Sequence, residues 1–379
     1  MQNKALLSEL KTAPAVFAVG EEYHIIVPVK SDLLFSVVIG DEEFFDHSNG
    51  IVRSATRVHT VRVPMALLDS ARSYTVAYRK IIERKPYFTE TEDKVFATYR
   101  FRPVPTEGAV RLYHLADTHG CFEKPAAAAR YFGENLDLLV LNGDIPDHSG
   151  SLENFDLIFE FCDALTGGEI PVVFSRGNLD MRGIFAESIA EYTPTDNGNS
   201  YFTFRLGRLW GMVLDCGEDK PEEHAAYGYT NCCHSFRRAQ TRFIERVIQN
   251  SATEYAAPDV KWRLVVAHHP FSFRMPEPFN IEESLYAEWT RLLGEHVKPD
   301  ALLSGHLHYT SYKPGGGELD AAGAIPVVVG SAVKREEKKV VAYTGVGLTF
   351  GEQDIKVELT NDALEVVESH VLPLAANKS

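Results

Sequence analysis

The chain has 379 residues, 45% hydrophobic and 24% charged, with a formal net charge of −15. This is a globular composition too long for one ordinary core, so two domains are expected. The negative field opposes a polyanion, which argues against a large nucleic-acid surface but stays compatible with a small phosphorylated substrate wherever bound metal reverses the sign locally.

The opening Met1-Gln2-Asn3-Lys4 leads into no apolar leader, and no run approaches the roughly 18 apolar residues of a membrane span. A cytoplasmic location and no membrane span are expected. The five cysteines, Cys121, Cys162, Cys216, Cys232 and Cys233, include no Cys-x-x-Cys. They read as reduced thiols rather than a disulfide framework or zinc ribbon.

Up to residue 105 the pattern is strands without long helices. Residues 16–19, 23–29 and 33–39 are short apolar runs separated by Gly20-Glu21-Glu22 and Lys30-Ser31-Asp32. Val58, Thr60 and Arg62 alternate with His59, Val61 and Val63, and Tyr74, Val76 and Tyr78 share one face of a further strand. An antiparallel β-sandwich is expected over 1–105. Pro103-Val104-Pro105-Thr106-Glu107-Gly108 then marks a linker. Over 106–379 strands alternate with helices, which is α/β layering. Strands are expected at 112–116, 138–141, 172–174, 209–214, 264–267, 301–303 and 327–329. Helices are expected at 125–132, 152–165, 181–192 and 236–248. Residues 339–372 return to strands.

Polar residues gather after the apolar strands, where α/β proteins place ligands. In order they are Asp117-Thr118-His119-Gly120, Gly143-Asp144-Ile145-Pro146-Asp147-His148, Gly177-Asn178-Leu179-Asp180, His268-His269-Pro270 and Gly305-His306-Leu307-His308. Any one of these alone is an ordinary solvated loop; five in sequence, each after a strand, point to one site. Carboxylates, an amide oxygen and imidazoles without thiolate suit Mn²⁺, Fe or Zn²⁺. Asp-x-His and His-x-His would direct alternate side chains to one side of an extended segment. The glycines beside Asp144, Asn178 and His306 permit tight turns and close approach.

The order Asp-x-His, Gly-Asp-x-x-Asp, Gly-Asn-x-Asp, His-x-Pro and Gly-His-x-His resembles the calcineurin-like metallophosphoesterases, over residues 112–333. The resemblance implies a four-layer α/β/β/α catalytic domain holding two metal ions. Asp117, His119, Asp144 and His308 would hold one, and Asp144, Asn178, His268 and His306 the other, with Asp144 bridging. It makes His269 a neighbour and Asp147 a supporting residue. Gln240-Thr241-Arg242-Phe243-Ile244-Glu245 is similar to the family's Q-x-x-W-L-E helix. The stretch 67–79, ending Tyr74-Thr75-Val76-Ala77-Tyr78-Arg79, resembles a strand entry of fibronectin type III domains, which purple acid phosphatases carry before their catalytic domain. Two such ions about 3.5–4 Å apart would share a bridging hydroxide for in-line attack at phosphorus.

Three departures narrow the reading. Purple acid phosphatases resemble Asp-x-Gly and Gly-Asp-x-x-Tyr; with His119 and Asp147 here, no iron–tyrosinate site is expected. The family's third motif usually reads Gly-Asn-His, whose histidine serves the leaving group, and here it is Leu179. Ser/Thr phosphatases follow Asp147 with a phosphate-contacting Arg, and here it is His148, a candidate replacement acid or an exposed loop residue. A phosphodiesterase acting on a small phosphodiester is therefore expected. The alternatives are a phosphomonoesterase on a small substrate or phosphoprotein, and a non-catalytic scaffold, which would have lost ligands this chain keeps. A metallo-β-lactamase-like hydrolase would need His-x-His-x-Asp-His, which is absent. The sandwich could shape access or bind a protein partner; its sequence names none.

Overall fold

The computed structural model describes residues 6–320, 323–336 and 339–374, and strand counts here are of those residues. The largest sheet has ten strands. Its centre is Val110–Leu115, Leu138–Asn142 and Val172–Ser175, mutually parallel. On one side Lys339–Phe350, Asp354–Asn361 and Val366–Pro373 continue it antiparallel, with Ala332–Glu336 paired to the first of them. On the other side Ala15–Val19 joins Val172–Ser175 in parallel, Phe17 opposite Val172, followed by Glu22–Pro28 and Val58–Pro64.

A second sheet of six strands runs Phe202–Leu206, Leu209–Leu214, Trp262–Ala267, Ala301–Ser304, Val327–Val329, Ser311–Lys313. Leu209–Leu214 reaches Trp262–Ala267 through the helix Cys233–Gln249, and Trp262–Ala267 reaches Ala301–Ser304 through Glu283–Leu292. Three apolar layers hold these parts. Leu112, Val140, Val173, Val213, Leu264, Val266 and Leu303 fill the space between the two sheets. Leu115, Leu139, Leu141, Ile158, Phe161 and Leu165 lie between the first sheet and helices Glu123–Ala129 and Asp156–Thr166. Met212, Val265, Phe243, Ile244, Val247, Leu285 and Trp289 lie between the second sheet and helices Cys233–Gln249 and Glu283–Leu292. The order is α/β/β/α.

The N-terminal part packs a five-stranded sheet on the end of the first one. Val95–Arg100, Ser73–Arg84, Leu33–Ile39 and Glu42–Phe45 follow in that order, with Thr89–Thr91 paired to Ser73–Arg84. Tyr23, Ile25, Val27, Val61 and Val63 share one core with Phe35, Val37, Tyr74, Val76 and Tyr78. Ala15, Phe17 and Ile26 face the other way, into the layer beneath Asp156–Thr166. Ala15–Val19 and Glu22–Pro28 are covered on both faces, which is why they read as unbroken apolar runs, whereas Val58–Pro64 alternates. The sandwich thus shares a sheet with the α/β part. Its entry strand follows a short helix, Met65–Ala71, closed by Arg72 in the left-handed region at φ 58°.

The helix expected at 181–192 does not form. Gly183 sits at φ 137°, and a Cβ there would strike the Ser149 backbone. The segment instead breaks into two short turns and the single helical turn Ile189–Tyr192. All five cysteines are free. Among the described residues no helix is long and apolar enough to cross a membrane.

Candidate metal centre

The loops at the strand ends converge. Asp117 Oδ1 lies 3.7 Å from His119 Nε2, 3.7 Å from His268 Nε2 and 3.5 Å from His308 Nε2. Nε2 of His119 and of His308 are 2.8 Å apart. His268 Nε2 is 3.4 Å from Asp144 Oδ2. Asn178 Oδ1 meets His306 Nδ1 at 3.0 Å and His269 Nε2 at 3.3 Å. The seven residues singled out from the sequence are thus brought together, and His269 joins them. His148 is not tied to this group. It is exposed, and its Nδ1 accepts from Gly150 N–H at 3.0 Å within its own loop.

The ligand pairs converge through turns rather than along an extended segment. Asp117, His119, Asp144, His306 and His308 all have positive φ, from 47° to 69°. Asp and His tolerate the left-handed region better than most residues, but each such residue still costs about 1–3 kcal/mol and persists only where its surroundings fix it. Here the fixing is dense. Asp117 N–H donates to Gly143 O at 3.1 Å and His119 N–H to Asp144 O at 3.0 Å.

Each donor is also aimed. Asp117 Oδ2 accepts from His306 N–H at 2.8 Å and from Ser331 Oγ–H, which leaves Oδ1 facing the imidazoles. Asp144 Oδ1 accepts from Leu179 N–H at 2.8 Å, leaving Oδ2 toward His268. His268 Nδ1 lies 2.7 Å from Asn142 O, a bond it can only make as donor, so Nε2 is the free acceptor. Asn142 Nδ2 reaches Ala267 O at 3.4 Å and Leu303 O at 3.1 Å, tying the two sheets behind the site. Asp180 Oδ2 accepts from Gly177 N–H at 2.7 Å and Asp144 N–H at 3.2 Å, knitting the second and third loops. Gln240, of the helix resembling the family motif, brackets the Asp215 peptide with bonds of 2.8 and 2.6 Å. Ser331, Asn142 and Asp180 were not singled out from the sequence. Only Asp180 sat within a recognised motif.

Asp117 Oδ1, His119 Nδ1 and His268 Nε2 are buried without a hydrogen-bond partner. A buried carboxylate oxygen ringed by imidazole nitrogens fits a cation. Asp117, His119 and His308, and likewise Asp117, Asp144 and His268, offer donor atoms within 4.8 Å of one another. Burial pushes the Asp117 and Asp144 carboxyls up, but the facing imidazoles, His268 foremost, together more than offset it and both lie below the usual range. Burial pulls His268 down, yet Asp144 and Asp117 raise it to about 10. The proton it holds is the one a metal would displace. Burial lowers His306 to about 4 and also lowers His119 and His269, keeping them neutral as ligands must be. Arg335, on the strand Ala332–Glu336, adds to the lowering of His119.

A layered α/β/β/α domain with carboxylate, amide and imidazole donors converging at its strand ends defines a metallophosphoesterase. The chain belongs to the calcineurin-like phosphoesterase family, whose model matches residues 110–310. Two solved structures show the same fold across the N-terminal part as well. Purple acid phosphatase PPD1 from yellow lupin (Lupinus luteus) seeds superposes with a TM-score of 0.60 at 14% identity, over 96% of this chain and 74% of that one. PhoD superposes with a TM-score of 0.54 at 11% identity, over 98% and 90%. No curated protein matches the chain.

Proposed function

We propose that the chain hydrolyses a small phosphoester with two divalent ions, and that it prefers a phosphodiester. One ion is assigned to Asp117, His119, Asp144 and His308, the other to Asp144, Asn178, His268 and His306. The observation that carries this is the set of unpartnered buried atoms, Asp117 Oδ1 and His268 Nε2, facing each other at 3.7 Å. Bound there, Mn²⁺, Fe or Zn²⁺ supplies Lewis acidity that lowers the pKa of water and polarises phosphoryl oxygens.

The chain's own residues do the positioning. Ser331 and the His306 N–H turn Asp117, Leu179 N–H turns Asp144, and Asn142 O fixes the His268 tautomer. Asp147 Oδ1 lies 3.8 Å from His119 Nδ1, too long for a hydrogen bond, and acts on the ring only through its charge. The diester preference rests on Leu179, which cannot protonate a departing alkoxide. Metal analysis of the purified protein, followed by kcat/KM for bis(p-nitrophenyl) phosphate, p-nitrophenyl phosphate, glycerol phosphate as an alkyl monoester and cyclic nucleotides, tests both parts. Fewer than two ions per chain at full activity would refute the centre. Faster turnover of alkyl monoesters than of diesters would refute the preference.

A further inference from the structure

Beside the metal centre a shallow, solvent-open cleft begins at His306 and His269. Its walls are largely apolar and include Phe273, Met275, Phe279, Ile281 and Leu319. Phe273, Met275, Phe279 and Ile281 are only half-buried, so among the described residues these walls keep part of their apolar surface open. Apolar surface left open beside a polar centre is the usual form of a small-molecule site.

The charges at its edge are already matched. Asp219 is paired with Lys220 at 2.6 Å, Arg182 at 3.0 Å and the Tyr227 hydroxyl at 2.6 Å. Glu283 is met by Arg274 at 3.4 Å. The Lys220 ammonium also lies 4.8 Å from the centre of the Phe279 ring, which orients that ring. A cleft walled by aromatic and aliphatic groups, with its acids satisfied, has affinity for an uncharged apolar group and little for a second anion.

We propose that this cleft takes the organic part of the phosphoester, an uncharged aromatic or bulky apolar group, while the phosphorus sits at the metal centre. The inference rests on the phosphoesterase reading above and adds the class of ester to it. Burying one ring against Phe279 and Met275 should strengthen binding about tenfold.

Phenylphosphonate and methylphosphonate separate the two levels, because both carry the same phosphorus group and neither is hydrolysed. Titration calorimetry on the Mn²⁺-loaded protein should find phenylphosphonate about tenfold tighter. Phe279→Ala and Met275→Ala should each shrink that ratio toward one, with metal content and melting temperature unchanged. Equal binding of both phosphonates by the wild type would overturn the cleft assignment and leave the metal centre standing. A ratio that survives both substitutions would place the ring elsewhere and overturn it too. Failure of both phosphonates to bind would refute the phosphoesterase reading along with the cleft.

Discussion

The Leu179 backbone N–H donates to Asp144 Oδ1 at 2.8 Å, so a residue with no proton to give still holds the central carboxylate. The two properties are separable, since one belongs to the main chain and the other to the side chain. Leu179→His should therefore keep the metal centre and add an acid near the leaving group. Such an acid is worth about 10²–10⁴-fold, so alkyl phosphomonoester hydrolysis should rise by at least tenfold with diester rates little changed. His148→Ala should change neither, because that imidazole is tied to its own loop. A large loss in His148→Ala would instead make His148 the acid.

Gly177 has no room for a side chain: a Cβ there would fall on Asp144. Gly177→Ala should displace the shared carboxylate and reduce bound metal to less than one ion per chain, as should Asp144→Asn. Metal counting by plasma emission, at constant far-ultraviolet dichroism, checks this. Two ions retained in Asp144→Asn would remove that residue as the bridge.

Burial, and after it the charge of Arg62 across the strand pair, lowers His24 to about 4. Glu22, 3.7 Å away and half exposed, does not offset this. An unfolded histidine takes a proton near pH 6.5, so as pH falls the unfolded state is protonated first. The stability tied to neutral His24 is complete above 6.5 and lost between 6.5 and 4, on the order of 3 kcal/mol. Urea midpoints across that range should fall more steeply for the wild type than for His24→Gln. Parallel curves would show that His24 is charged in the folded protein.

The division near residue 105 is testable by cleavage. Thr106, Glu107 and Gly108 are exposed, while Phe101 and Val104 on the near side are buried. Limited proteolysis should nick at 106–108 and leave both fragments associated, because Ala15–Val19 is hydrogen-bonded into the other fragment's sheet. A fragment 106–379 produced alone should be insoluble, with the edge of Val172–Ser175 uncovered. A soluble, metal-binding 106–379 would establish the two parts as independent folding units.

The residues that converge at the strand ends were legible because the chemistry proposed for them restricts the residue types and the fold places each set after a strand. The central strands and the helices Glu123–Ala129, Asp156–Thr166 and Cys233–Gln249 followed from apolar periodicity, while Met65–Ala71 and Glu283–Leu292 were not anticipated. What escaped depends on distant partners. Nothing around Ser331 announces that its hydroxyl meets Asp117, 214 residues earlier. The helix expected at 181–192 failed at Gly183, whose constraint comes from Ser149 packed against it. The left-handed turns at the donors were hinted at only by their glycine neighbours. The doubly covered strands near the N-terminus did carry a signal, since Ala15-Val16-Phe17-Ala18-Val19 shows no alternation. A free-standing sandwich would have left one face polar.

The parallel pairing of Phe17 with Val172 also sets an order of events during synthesis. The strand emerges early, but the edge it must join is made 155 residues later. At about 5–20 residues per second the interval is roughly 8–30 s. Through that time an apolar strand with unmet hydrogen bonds on one side is exposed beside the ribosome. Its safe completion depends on how fast the next 155 residues are translated, so slow codons between 20 and 172 should lower the yield of folded protein without altering the product.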